Sequence, residues 1–180
     1  IAAAMVVATM NFGSDEVVMV VVFSIIVMLV VIPLALERGK RNAAAGLTRS
    51  IVDSLYKADP KARIIVMGDL NDDPFNESCA TILGAKKVKE EVKPGDLYNV
   101  FWKTLEKGMG TLSYNDQWNL FDQIIISHEL ANGSKDQLHF WKSEIFYRNF
   151  LIQQEGRYKG TPLRTHSGGA WLNGYSDHLP

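Results

Sequence analysis

The chain has 180 residues, 47% of them apolar and 22% charged, with a formal net charge of −1. These proportions exclude a disordered chain and allow one domain with a sizeable core. The near-zero charge excludes a whole-molecule field that would draw in nucleic acid or an acidic membrane, although a local basic patch stays compatible with it. Cys79 is the single cysteine. No intrachain disulfide can form, no Cys/His cluster has zinc spacing, and both a secreted or periplasmic and a cytoplasmic location stay open. Cys79 itself reads as a small buried hydrophobe. The start at Ile1 and the stop at Pro180 are those expected of a fragment.

Residues 1–36 carry two charged side chains, Asp15 and Glu16, whereas charges are frequent from Glu37 onward. A boundary is therefore expected at 36/37. Val17 to Leu36 holds no charge and has the length of a membrane-spanning helix. Over half of it is Val or Ile, Ser24 and Pro33 interrupt it, and no Trp or Tyr flanks it. Two consecutive core strands fit this best, because strands covered on both faces lose their polar alternation. A membrane span flanked by Arg38, Lys40 and Arg41 is the alternative, and an imperfectly recorded stretch is a third. A signal peptide is disfavoured by the length of the run and the lack of basic residues before it.

Asn42 is a good helix N-cap, and Leu47, Ile51, Val52 and Leu55 follow at helical spacing until Asp59-Pro60. Arg63 to Met67 predicts a β-branched strand. Asp73 with Pro74 predicts the start of a second helix, stopped near Gly84. Leu97, Val100, Phe101 and Leu105 predict a third, closed by Gly108. Thr111–Tyr114 and Asp122–Ser127 read as strands, residues 128–139 as loop, 140–152 as an aromatic-rich segment ambiguous between strand and loop, and 156–176 as Gly-rich loop. Strands and helices thus alternate, which predicts mixed α/β layers.

Four motifs carry chemistry. Gly68-Asp69-Leu70-Asn71 ends the first strand; on extended backbone its acid and amide would share one side, where Asp can polarise water or bind metal and Asn can bond a phosphate oxygen. A plain Asp/Asn turn is the competing reading. Asp122 opens a buried strand and needs a partner, for which a histidine is the obvious candidate, or else it caps a turn. Ser176-Asp177-His178 sets a hard oxygen ligand beside a group that titrates near neutrality, and a bend is needed for both to face one site. Arg164, in Pro162-Leu163-Arg164-Thr165, can clamp a phosphate bidentately or sit solvated at the surface.

In this order, GDxN, then an Asp before a buried strand, then SDH, the chain resembles the endonuclease/exonuclease/phosphatase superfamily. That superfamily includes deoxyribonuclease-like nucleases, abasic-site endonucleases, sphingomyelinases and inositol-polyphosphate phosphatases. Gly110-Thr111-Leu112-Ser113-Tyr114, Trp118 and Asp122-Gln123 look like a bacterial branch of it. The resemblance covers about residues 43–180. It implies an α/β (α+β) fold, a two-sheet β-sandwich flanked by helices, here lacking part of the N-terminal half. It also implies a phosphoester hydrolase dependent on Mg²⁺ or Mn²⁺.

By the same resemblance, Asp69 would orient or deprotonate the attacking water and Asn71 would help place it. Asp177 would bind the metal, His178 would contact the scissile phosphate, Asp122 would hold the His178 ring, and Arg164 would bind substrate. The family's first half normally supplies an Asn, a metal-binding Glu and a His. Asn11 is a candidate for the first, Glu16 and Glu37 for the second, and Ile32-Pro33-Leu34 stands where the His is expected. The substrate stays open between a small molecule, a lipid headgroup and a nucleic acid, and no protein partner is implied. A non-catalytic phosphate-binding module and a membrane-anchored hydrolase are the alternatives.

Overall fold

In a computed structural model of the chain, residues 34–134 and 136–180 are described. The strands, or membrane span, expected within residues 1–36 lie outside the described residues, apart from 34–36, which open a helix. Among the described residues no helix is long and apolar enough to cross a membrane.

That helix, α1, runs Leu34–Ala58, so Asn42 is interior rather than a cap. Its Nδ2 instead donates to Glu77 Oε2 at 3.0 Å. The buried stripe also differs from the expected one. Leu47 is 64% exposed, whereas Val52 is buried with Ala45, Leu55 and Tyr56 packed around it, and Thr48 is buried beside them. Both sets have helical spacing. Ala45 and Thr48 lie on the face that carries Val52, and Thr48 satisfies its hydroxyl on Ala44 O at 2.9 Å.

The strands follow as β1 (Ile65–Asp69), β2 (Ala85–Lys86), β3 (Leu97–Asn99), β4 (Leu112–Tyr114), β5 (Gln117–Asn119), β6 (Asp122–Ser127), β7 (His166–Ser167) and β8 (Ala170–Trp171). Helices α2 (Trp102–Glu106) and α3 (His128–Ala131) flank β4–β6 in the sequence. The result is the expected mixed α/β build with several sheets. The main sheet has the order β1-β6-β3-β2, and β4-β5 and β7-β8 form two-stranded sheets. In the main sheet β6 is antiparallel to both neighbours, and β2 is parallel to β3.

Strand β6 explains the Ile124-Ile125-Ile126 run. Ile124 and Ile126 enter one core with Ile65, Tyr98, Phe101, Leu120 and Leu130. Ile125 enters the other with Val66, Leu97 and Val52 of α1. Both faces are covered, so apolar residues are needed on each. The polar members of β6 are partnered: Ser127 Oγ accepts the Ile64 N–H at 3.1 Å.

Several local expectations change: the segment 128–139, read as loop, opens with α3, and the Gly-rich loop 156–176 contains β7 and β8. The helix predicted from Leu97 is β3 followed by the short α2, because Leu97, Tyr98 and Asn99 pair with Ser127, Ile126 and Ile125 and Asn99 Oδ1 takes the Phe101 N–H at 3.0 Å. The helix predicted from Asp73 is a turn, with Asn76 N bonded to Asp73 O at 2.9 Å, then a five-residue π-helical turn, Ser78–Ile82. The ambiguous segment 140–152 contains no strand; it ends in a 3₁₀ turn at Asn149–Leu151 and a single bridge from Ile152 to Pro162.

Ile125 is fully buried, so Ile125→Ala is expected to destabilise the fold by about 2–5 kcal/mol. Urea unfolding followed by circular dichroism measures this. A loss well under the lower bound would mean the α1–sheet interface is loosely packed.

Candidate active site

The site grows from the pairing of two strand ends. In the β1–β6 register Asp69, the last residue of β1, stands directly opposite Asp122, the first of β6. Side chains alternate along a strand, so both carboxylates leave the sheet on the face of Ile65 and Ile124. Two like charges directly opposite are destabilising unless a proton or a cation lies between them. The third member of the group is His178. One ligand atom from each of Asp69, Asp122 and His178 lies within 4.8 Å of the others.

The local sequence explains each placement. Gly68 has φ +147° and Asn71 φ +52°, conformations suited to Gly and Asn. The Asn71 N–H bonds back to Asp69 Oδ1 at 2.9 Å, and the Leu70 N–H reaches Phe121 O at 2.8 Å. Asn71 therefore sits in a tight turn, not on extended backbone, and its side chain is exposed at the rim. On the other segment, His178 N–H bonds Ser176 Oγ at 3.1 Å, which bends the chain at Asp177 as the motif requires. His178 also bridges to Leu112, and the neighbouring Leu179 N–H bonds Thr111 O at 2.7 Å.

His178 Nδ1 lies 2.7 Å from Asp122 Oδ2, within range of a charge-assisted bond. Asp122 is almost fully buried at 2% exposure, so this contact supplies the partner its carboxylate needs. For His178, desolvation is the largest single influence and opposes the charged ring. The hydrogen bond and charge of Asp122, with the charges of Asp69 and Asp177, together outweigh it and raise the pKa above 6.5. Asp69 is raised above 3.8, chiefly by desolvation, with the charges of Asp122 and Asp177 adding to it and the Asn71 N–H and His178 opposing it. Its carboxyl group stays reachable from solvent. A solvent-reachable carboxylate of raised basicity is suited to accept a proton.

The structure thus brings Asp69, Asp122 and His178 together. Asp177 is exposed at the rim, outside that group, and acts on both Asp69 and His178 through its charge. Arg164 is half-buried and donates to Ser113 O at 3.4 Å, next to the Leu112–His178 bridge. Of the metal-Glu candidates, Glu37 is described and pairs with Arg41 at 3.6 Å within α1; Glu16 and Asn11 lie outside the described residues.

A second polar network lies at the same end of the sheet. Gln123 faces the opposite side from Asp122. It accepts from Asn99 Nδ2 at 2.6 Å and donates to the Asp72 carbonyl. The Asp72 carboxylate takes the Ser78 hydroxyl and pairs with Arg41 of α1 at 2.9 Å. Sequence reasoning assigned no role to Asn99 or Asp72 and read Arg41 only as a flanking charge of a membrane span, because each is a common surface residue and their convergence exists only after folding. Cys79 is buried beside this network, and desolvation raises its thiol to about 11, so it stays protonated and unreactive.

The sequence matches the Endonuclease/Exonuclease/phosphatase family over residues 35–180. The chain belongs to that family, whose members are generally phosphoester hydrolases and typically depend on a divalent metal. No curated protein and no solved structure matches it.

Because His178 gains charge stabilisation on folding, its contribution to stability is present below pH 6.5 and is lost as pH rises through the higher folded pKa. An NMR titration of His178 is expected to give a midpoint above 6.5. In Asp122→Asn the midpoint should fall, since desolvation is then less opposed. An unchanged midpoint would mean that the Asp122 contact does not control the ring.

Proposed function

We propose that the chain hydrolyses a phosphoester by attack of water on phosphorus, with Mg²⁺ or Mn²⁺ bound. The observation that carries this reading is the cross-strand pair Asp69–Asp122 with His178 within 4.8 Å. The donor set fits a hard cation. Asp69, Asp122 and Asp177 place three carboxylates around one imidazole, an excess of negative charge even when His178 is protonated, and carboxylate oxygen suits Mg²⁺ and Mn²⁺. Asp177 would hold the ion; Asp122 Oδ2 is already engaged by His178, and the free oxygen of Asp69 is left for the attacking water. When bound, the metal would supply Lewis-acid polarisation of the phosphoryl oxygens.

The remaining roles fall to the chain's own groups. Asp69 accepts a proton from water as the water oxygen bonds phosphorus and the ester oxygen departs. Asn71, at the rim, orients that water and a phosphate oxygen. Protonated His178 donates to a phosphoryl oxygen whose negative charge grows during the reaction, and such fixed donors usually supply the largest share of a hydrolase's rate. Asp122 holds the ring and keeps it charged, as an acid does in a triad. Arg164 binds the substrate phosphate.

A non-catalytic phosphate-binding module is favoured by one observation: among the described residues the metal-capable group contains no Glu. Calorimetric titration with Mg²⁺ and Mn²⁺ discriminates the two, since a folded chain that binds neither ion would be a module.

Turnover of plasmid DNA and of a bis-aryl phosphate, with and without Mg²⁺, tests the hydrolase reading; no metal-dependent cleavage of either would count against it. Asp69→Ala and His178→Ala are each expected to lower kcat by about 10²–10⁴-fold; Asp69→Ala should change the melting temperature little, whereas His178→Ala should lower it, because it leaves the buried Asp122 carboxylate without its partner. The pH–rate profile should be bell-shaped, with an acid limb above 3.8 from Asp69 and an alkaline limb above 6.5 from His178. Asp122→Asn should reduce the rate less and draw the alkaline limb to lower pH. Arg164→Ala should mainly raise KM; an unchanged KM would leave Arg164 as a tie to Ser113.

A further inference from the structure

Asp73 is a buried carboxylate to which the reaction assigns no role. It is 6% exposed. Its Oδ1 accepts the Leu120 N–H at 2.6 Å and its Oδ2 accepts Asn119 Nδ2 at 2.8 Å. Its own N–H is taken by Asn76 Oδ1 at 2.9 Å. Read from sequence as a helix cap, it spans to another segment instead, the one that leads into Asp122.

What Asp73 grips is the joint between the three segments of the site. Asp73 belongs to the loop that leaves Asp69 and Asn71. Asn119 and Leu120 immediately precede Asp122. The carbonyl of the same Asn119 accepts the Thr111 N–H at 2.9 Å, and Thr111 O accepts the Leu179 N–H at 2.7 Å beside His178. A chain of hydrogen bonds therefore runs from the Asp69 loop, through Asp73 and Asn119, to Thr111 and the His178 segment. It is tight: a Cβ added at Gly110 would lie 2.3 Å from Asn119 O. Charge-assisted bonds to a buried carboxylate are short and directional, so they fix the position of the segment they hold.

We propose that Asp73 is a positioning residue for phosphoester hydrolysis: by holding Asn119 and Leu120 it sets the spacing of Asp122 and His178 against Asp69. The proposal rests on the hydrolase reading for its rate arm alone. Asp73→Asn keeps the shape and the acceptor for Leu120 but turns a donor toward Asn119 Nδ2. The double variant Asp73→Asn/Asn119→Asp exchanges donor and acceptor and restores the pair.

Two quantities are read on folded protein below all melting transitions. One is kcat and KM on the bis-aryl phosphate. The other is the ¹⁵N shifts of the His178 ring, which report its hydrogen bonding and need no turnover. Asp73→Asn should lower kcat by about 10–100-fold, since misplacement far below a side-chain length has costs of that order, while KM changes by less than about twofold and the ring shifts move away from wild type. The double variant should recover both. Wild-type kcat and ring shifts in Asp73→Asn, or a double variant no better than the single, would overturn the proposal. Should the wild type turn over no phosphoester, the hydrolase reading fails, and the ring shifts decide alone whether Asp73 positions His178.

Discussion

Two carboxylates set face to face across a pair of antiparallel strands are an electrostatic problem that the rest of this structure is arranged around. Asp69 and Asp122 are register partners, and nothing in sheet geometry lets them move apart. Neutral polar residues at these positions would make a more comfortable strand end. The arrangement is tolerable because an imidazole is delivered from a distant segment to bond Asp122 at 2.7 Å, and because Asp69 is reachable by solvent. Proton affinity is raised at both Asp69 and His178. A centre that draws in positive charge in this way suits both a divalent ion and a phosphate whose charge must be balanced as it reacts.

The sheet divides the labour between its faces. On one side the strand ends carry the acids, met there by the imidazole of His178. On the other, Gln123 and Asn99 are bonded to each other in full burial, and through Asp72 they reach Arg41 of α1. Buried polar groups are costly unless satisfied. These are satisfied by partners drawn from α1, the loop after β1, β3 and β6. The helix is thereby keyed to the reactive end of the sheet by directional bonds, whereas its apolar stripe alone would allow it to slide.

Much of this was legible in the sequence where a single residue type has a single cheap explanation. The Ile124–Ile126 run fixed a strand covered on both faces. An Asp at the head of a buried strand called for a histidine, which His178 supplies, whereas Asn71, read as sharing extended backbone with Asp69, sits in the competing turn. What stayed hidden depended on competition between local and distant bonds. Leu97–Phe101 has helical spacing, yet pairing with β6 satisfies more backbone. Asp73-Pro74 is a good helix start, yet the carboxylate finds backbone and amide donors near β6. Leu47 fits a helical stripe as well as Ala45 does, and only the folded structure shows that Ala45 packs against the core while Leu47 is exposed. Asp177 lies exposed at the rim, beside the group formed by Asp69, Asp122 and His178.

The register of β1 against β6 has a consequence for how this molecule acquires its chemistry. Side chains alternate with a period of two, so a slip by one residue would send Asp69 to the Val66 side and leave Asp122 facing the opposite core. It would also press Ile65 and Met67 toward helix α1 in place of Val66. A misaligned sheet would therefore lose its core packing and its acid pair together. No partly correct intermediate would carry an assembled centre, and the same apolar residues that stabilise the fold act as its proofreading step.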